Sequence, residues 1–95
     1  MASHFVYVIL CEDGSLYTGV TKNLDARLKL HVNGRGARYT RIHRPKKLAY
    51  FEEFSSRAEA MRRERRVKRL KHVQKLKLIN SSKKSKSRIR KSIKV

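Results

Sequence analysis

Tyr7, Tyr17, Arg27 and His31 fall within the first third of the chain and bring together two phenols, a guanidinium and an imidazole. Phenols donate and accept hydrogen bonds, imidazole exchanges a proton near neutral pH, and guanidinium grips phosphate oxygens through a fixed fork. Such a set suits phosphodiester chemistry, where water gives up a proton while negative charge builds on the phosphate oxygens. Further along stands Glu64, which falls among the apolar positions Ala60, Met61, Val67 and Leu70 of its segment. A carboxylate turned to an apolar side buries a charge, which is costly without a strong partner. Lys68, at i+4, offers an ordinary helix salt bridge of about 0.3–0.5 kcal/mol. A divalent cation held by Glu64 and completed by water and substrate oxygens resolves the cost better, and we favour it. Taken singly, the other residues have plain explanations. Tyr7 and Tyr17 fit as strand tyrosines, Arg27 as a solvated cation whose stem covers the sheet, and His31 as a structural or surface histidine. Their combination favours chemistry.

The elements that must position these groups can be read from pattern. Residues 5–11 form an apolar, β-branched run and residues 16–20 a second, with Glu12-Asp13-Gly14-Ser15 as turn chemistry between them. A hairpin is expected, with Gly14 at positive φ. Gly19 is poor strand material and implies a bulge or the close approach of another group. Asn23 is a good N-cap for a helix carrying Leu24 and Leu28 as its apolar stripe, and Asn33-Gly34 supplies the stop. Arg27 and His31 lie one turn apart and so project from the same side. Residues 34–47 read as a basic loop, residues 48–54 as a third strand. Ser56-Arg57-Ala58-Glu59 fits a capping box opening a second helix, and Val73, Leu76 and Ile79 suit a third, shorter one. The expected class is α+β: a three-stranded, mainly antiparallel sheet flanked by helices in the order β-β-α-β-α-α.

Charge bounds the partner. The chain has 95 residues, room for one domain, and its 26 Lys and Arg against 7 acids give a net charge of +19. Such a balance calls for an anionic partner, nucleic acid before a membrane surface. No apolar run approaches the roughly 20 residues of a membrane span, and the first residues lack the character of a secretory signal. Cys11, the only cysteine, sits in an apolar strand and suits a reduced cytoplasm; with four scattered histidines, a structural zinc site is not expected. Residues 80–95 hold seven Lys or Arg and no acid, so residues 1–79 are expected to fold and 80–95 to be a disordered basic tail. In the loop, Arg35, Arg38, Arg41, His43, Arg44, Lys46 and Lys47 surround Tyr39. We expect phosphate-backbone contacts from these cations and from Lys68 on the second helix, with Tyr39 available to stack on an unpaired base. No element for reading a defined sequence is evident, so shape-based or non-specific binding is expected, of DNA before RNA.

Phe5-Val6-Tyr7, Tyr17-Thr18-Gly19, the helical pair Arg27 and His31, and Glu64 resemble in order the motifs of the GIY-YIG endonuclease superfamily. The loop Gly36-Ala37-Arg38-Tyr39-Thr40-Arg41 with Arg44-Pro45 resembles its small branch of stand-alone, single-domain proteins, and the resemblance spans residues 4–79. Phe5 replaces the first-motif glycine, Thr18 the central isoleucine of the second, and the phosphate-contacting asparagine of many relatives has no clear counterpart. The resemblance implies a metal-dependent DNA endonuclease of repair or processing. In it Glu64 holds Mg²⁺ or Mn²⁺, Tyr7 activates the water, Tyr17 and His31 assist, and Arg27 neutralises developing charge. The alternative is a DNA- or RNA-binding module of the same fold with little or no cleavage.

Overall fold

A computed structural model describes residues 3–81. Strands β1 (His4–Cys11) and β2 (Leu16–Thr21) form the expected hairpin, and β3 (Pro45–Phe54) lies on the other side of β1. The sheet is antiparallel throughout, in the order β2-β1-β3. The hairpin turn is fixed locally: Gly14 sits at φ 87°, and Asp13 Oδ1 accepts from the Ser15 amide at 3.0 Å and from its hydroxyl at 2.6 Å. Helix α1 (Leu24–Val32) starts where Asn23 Oδ1 accepts from the Ala26 amide and stops at Asn33, with Gly34 at φ 75° just beyond. Helix α3 (Arg57–Arg69) is capped by Ser56, whose hydroxyl accepts from the Glu59 amide at 3.1 Å. Helix α4 (His72–Ser81) follows.

One segment departs from expectation. The basic stretch 34–47 is not all loop: it contains a short helix, α2 (Arg38–Ile42), and β3 begins at Pro45 rather than at residue 48. Five residues are too few to show a period, so α2 left no sequence signal. Proline can open β3 because β3 is an edge strand, and Pro45 meets β1 at Cys11, beside one of two register irregularities. The expected basic tail lies outside the described residues except for Asn80 and Ser81, which close α4.

Because β1 is apolar at every position from Phe5 to Cys11, both faces of the sheet need covering. On one face Tyr7, Ile9 and Cys11 pack with Leu24 and Leu28 of α1; on the other Val8, Leu16 and Tyr50 pack with Val67 of α3, and Leu78 and Ile79 of α4 lie against them. Helix α3 is pinned to β3 by a paired contact. Arg63 donates to both oxygens of Glu52, at 2.8 and 3.1 Å, and the buried Tyr50 hydroxyl donates to the same carboxylate. With Arg63 tied to β3, the next residue is turned about 100° around the helix, towards the opposite flank. That residue is Glu64.

Thr18, on the α3 face of β2, is buried and its hydroxyl has no hydrogen-bond partner among the described residues. An orphaned buried hydroxyl costs about 1–3 kcal/mol. Thr18→Val keeps the shape and removes the hydroxyl, so it should raise stability in urea unfolding by about 1 kcal/mol or more; a loss of stability would show that the hydroxyl is satisfied.

Candidate active site

Tyr7 projects from the middle of β1 towards the β2 edge, where the chain leaves room for it. A Cβ on Gly19 would stand 2.5 Å from Tyr7 Oη, so Gly19 answers the second of its two expectations, close approach, and β1 pairs with β2 without a bulge. Tyr17 lies beside Tyr7 with ring centroids 6.2 Å apart, and 5.2 Å from the ring of His31. His31, from α1, is 1% exposed, and its Nε2 is 2.9 Å from Tyr7 Oη. Its other nitrogen, Nδ1, is 2.6 Å from Thr40 Oγ1, and the Thr40 hydroxyl donates to the Ala37 carbonyl at 3.0 Å.

Arg27 and His31 share a side of α1 as expected, but differ in burial: the imidazole is enclosed while the guanidinium is exposed. The charge of Arg27 nonetheless acts on both Tyr7 and His31. Glu64 has a side chain 14% exposed, against 54% for Lys68, whose Nζ lies 3.3 Å from Glu64 Oε2. The i,i+4 salt bridge is therefore present. It occupies one carboxylate oxygen, and the carboxylate makes no other hydrogen bond or ion pair among the described residues. The Glu64 charge also reaches the Tyr7 hydroxyl, which joins α3 to the same site.

Burial is the largest influence on the Tyr7 phenol and, with Tyr17 and Glu64, holds it well above its ordinary range; Arg27 only partly offsets this. Burial and, secondarily, Arg27 pull His31 down from 6.5 to about 4. At neutral pH the site therefore holds a neutral phenol against a neutral imidazole, with a cation and a carboxylate at its border.

Arg35, Arg38, Arg41, Arg44, Lys46, Lys47 and Lys68 are all exposed. Tyr39 is partly exposed, but its ring is already stacked on Tyr17 (centroids 5.8 Å apart) and His43 (4.2 Å). His43, expected among the phosphate-contacting groups, instead pairs with Asp13: Nδ1 and Oδ2 are 2.6 Å apart, tying α2 to the β1–β2 turn. Gly36, Ala37 and Thr40, which the sequence marks only as parts of a motif, enclose His31. A Cβ on Gly36 would overlap His31 Nδ1. A glycine and a hydroxyl residue in a loop shortly after a helical histidine were the signal available.

A strand tyrosine, a second tyrosine near a glycine and a helical histidine thus meet at one edge of the sheet. The GIY-YIG catalytic domain family model matches residues 3–77, and the chain belongs to this family, a family of nucleases. Among its relatives is a UPF0213 protein of Staphylococcus haemolyticus, 53% identical over 79 residues, covering 83% of this chain and 96% of the relative. The solution NMR structure of a UPF0213 protein from Bacillus halodurans is similar at TM-score 0.54 and 45% identity, covering 82% of this chain and 83% of that one. That of a protein from E. faecalis is similar at TM-score 0.60 and 38% identity, covering 85% and 86%.

His31 makes stability depend on pH. Its folded pKa of about 4 lies below the ordinary 6.5, so the unfolded chain binds the extra proton first as pH falls. The contribution of neutral His31 is complete above 6.5 and is lost progressively down to about 4, on the order of 3 kcal/mol in all. Urea midpoints should fall across this window in the wild type and much less in His31→Gln, which cannot titrate. Equal slopes in the two proteins would contradict the assignment.

Proposed function

We propose that this protein is a divalent-metal-dependent endonuclease that hydrolyses DNA phosphodiester bonds. The observation that carries the proposal is the buried Tyr7–His31 hydrogen bond, set beside Tyr17 and within reach of the charges of Arg27 and Glu64.

The donor set restricts the ion. Among the described residues no three His, Cys, Asp or Glu side chains come together as a metal site. Glu64 alone, half-buried and with one oxygen not engaged by Lys68, fits Mg²⁺ or Mn²⁺, which accept one carboxylate and take their other ligands from water and substrate. Bound there, the ion would neutralise charge on the phosphate and lower the pKa of water.

The chain's own groups divide the remaining work. Arg27, exposed and with a guanidinium that makes no hydrogen bond or ion pair among the described residues, receives the phosphate and stabilises the charge that grows on its oxygens. Tyr17 orients the phosphate or the water. The water oxygen bonds to phosphorus as the bond to the leaving sugar oxygen breaks. Its proton passes to Tyr7 Oη while the proton of Tyr7 crosses to His31 Nε2, and solvent returns a proton to the leaving oxygen. A phenol with a raised pKa is a poor acid on its own; handing its proton to His31 lets it act as a base without becoming a free phenolate.

The exposed cations Arg35, Arg38, Arg41, Arg44, Lys46 and Lys68 hold the DNA backbone, with Tyr39 at the border of the site. Phosphate contacts of this kind read shape and charge rather than sequence, which fits structure-selective or non-specific cleavage in repair or processing. Among the described residues no helix is long and apolar enough to cross a membrane, and we place the activity in the cytoplasm.

Plasmid and branched DNA should be nicked with Mg²⁺ or Mn²⁺, and not after chelation. Arg27→Ala should slow cleavage by about 10²–10³-fold, and Glu64→Ala should abolish it. Undiminished cleavage by Glu64→Ala, with contaminating nucleases excluded, would refute the mechanism.

A further inference from the structure

We propose that Thr40 is a positioning residue that fixes the tautomer of His31, placing the ring proton on Nδ1 and leaving Nε2 bare to receive the proton of Tyr7. The proposal follows from counting hydrogens. A hydroxyl has one, and Thr40 Oγ1 stands 3.0 Å from the Ala37 carbonyl, a group that can only accept, so we assign the hydrogen to that contact. Towards His31 Nδ1, 2.6 Å away, Thr40 Oγ1 can therefore present only a lone pair. The hydrogen in that contact must belong to Nδ1. A neutral imidazole carries a single N–H, so Nε2 holds a lone pair, and across the 2.9 Å contact Tyr7 must be the donor. Thr40 is 2% exposed and His31 1%, so bulk water does not compete for these bonds.

The direction of this chain decides what Tyr7 can do. With its one hydrogen committed to His31, Tyr7 Oη offers the site only lone pairs, the orientation needed to accept a proton from water. In the other tautomer Nε2–H would donate to Tyr7, and the Tyr7 hydrogen would be free to point outwards. Tyr7 would then meet water as a donor. Moving one proton between two ring nitrogens thus exchanges a base for an acid.

A second observation shows the loop built around this edge of the ring. Gly36 lies so close that a Cβ there would overlap His31 Nδ1, and its φ is not positive, so the glycine supplies space rather than an unusual backbone. Ala37, the N-cap of α2, offers a carbonyl that also accepts from the amides of Thr40 and Arg41, which holds it fixed as the end of the chain. Residues 36–40, which first read as part of a phosphate-binding loop, thereby acquire an inward-facing task.

The proposal deepens the nuclease reading and depends on it only for the kinetic consequence. Long-range ¹H–¹⁵N spectra of the intact, ¹⁵N-labelled protein at pH 7 should show His31 with a protonated, pyrrole-type Nδ1 and a bare, pyridine-type Nε2. Thr40→Val should shift the ring towards the Nε2–H form and lower kcat by about 10²-fold with DNA affinity held. Thr40→Ser, which keeps the hydroxyl, should restore both. A protonated Nε2 in the wild type, or a Thr40→Val ring with the wild-type tautomer, would overturn the proposal. Should Thr40→Val not fold, the wild-type and Thr40→Ser spectra decide. If the wild type cuts no DNA, the nuclease reading fails while the imidazole spectra still settle the role of Thr40.

Discussion

Tyr7 and His31 are both almost fully enclosed, and neither ring can leave its polar atoms unmatched. Each orphaned group would cost about 1–3 kcal/mol in a domain whose total stability is of order 5–15 kcal/mol. The hydrogen bond between them meets that demand for Tyr7 Oη and His31 Nε2, and it passes the demand for Nδ1 on to Thr40. Thr40 passes it to the Ala37 carbonyl, where a main-chain acceptor closes the sequence. Much of the local architecture answers to this line of contacts. It fixes the seating of α1 against β1 and the path of residues 36–40, and it requires glycine at positions 19 and 36, where side chains would collide with the two rings. The hairpin and α2 are tied together at the far end by Asp13 and His43, which keeps Thr40 over the imidazole.

Neutral groups lie inside this arrangement and charged ones at its margin. Burial keeps the phenol protonated and the imidazole unprotonated, so neither ring carries a charge in the core of the resting site. Arg27 and Glu64 stand where solvent and a substrate can meet them. Glu64 depends on α3, and α3 depends on the contact of Arg63 with Glu52 and Tyr50 on the opposite flank. A carboxylate serving one edge of the sheet is thus positioned by an ion pair on the other. The remaining positive surface, part of a net charge of +19, is what the proposed function would use to concentrate a polyanion around the site without reading its sequence.

Much of this was legible in the chain. Local chemistry marked the hairpin turn at Asp13-Gly14 and the caps at Asn23 and Ser56, and each is formed by the bonds those residue types make. Periodicity placed three strands and the longer helices. Tyr7, Tyr17, Arg27, His31 and Glu64 were picked out by type, order and family motif, and Gly19 by its unsuitability for a strand. What stayed hidden depended on tertiary contact. Helix α2 is too short to carry a period, and Pro45 in a strand makes sense only once β3 is known to be an edge. The burial of His31, against the exposure of its neighbour Arg27, comes from the loop folding over one and not the other. Thr40 reads as one polar residue among cations until the imidazole is seen beneath it. The balance that keeps Tyr7 protonated is a sum over burial and three neighbours, which no motif expresses.

The central claim is that these groups form one site for phosphodiester hydrolysis at the β2 edge. A crystal structure with a non-hydrolysable phosphorothioate DNA and Mg²⁺ tests it most directly. It should show the cation on Glu64, a phosphate between that cation and Arg27, and a water facing Tyr7 Oη. DNA bound along the basic surface with no phosphate at Arg27 and no cation at Glu64 would contradict it.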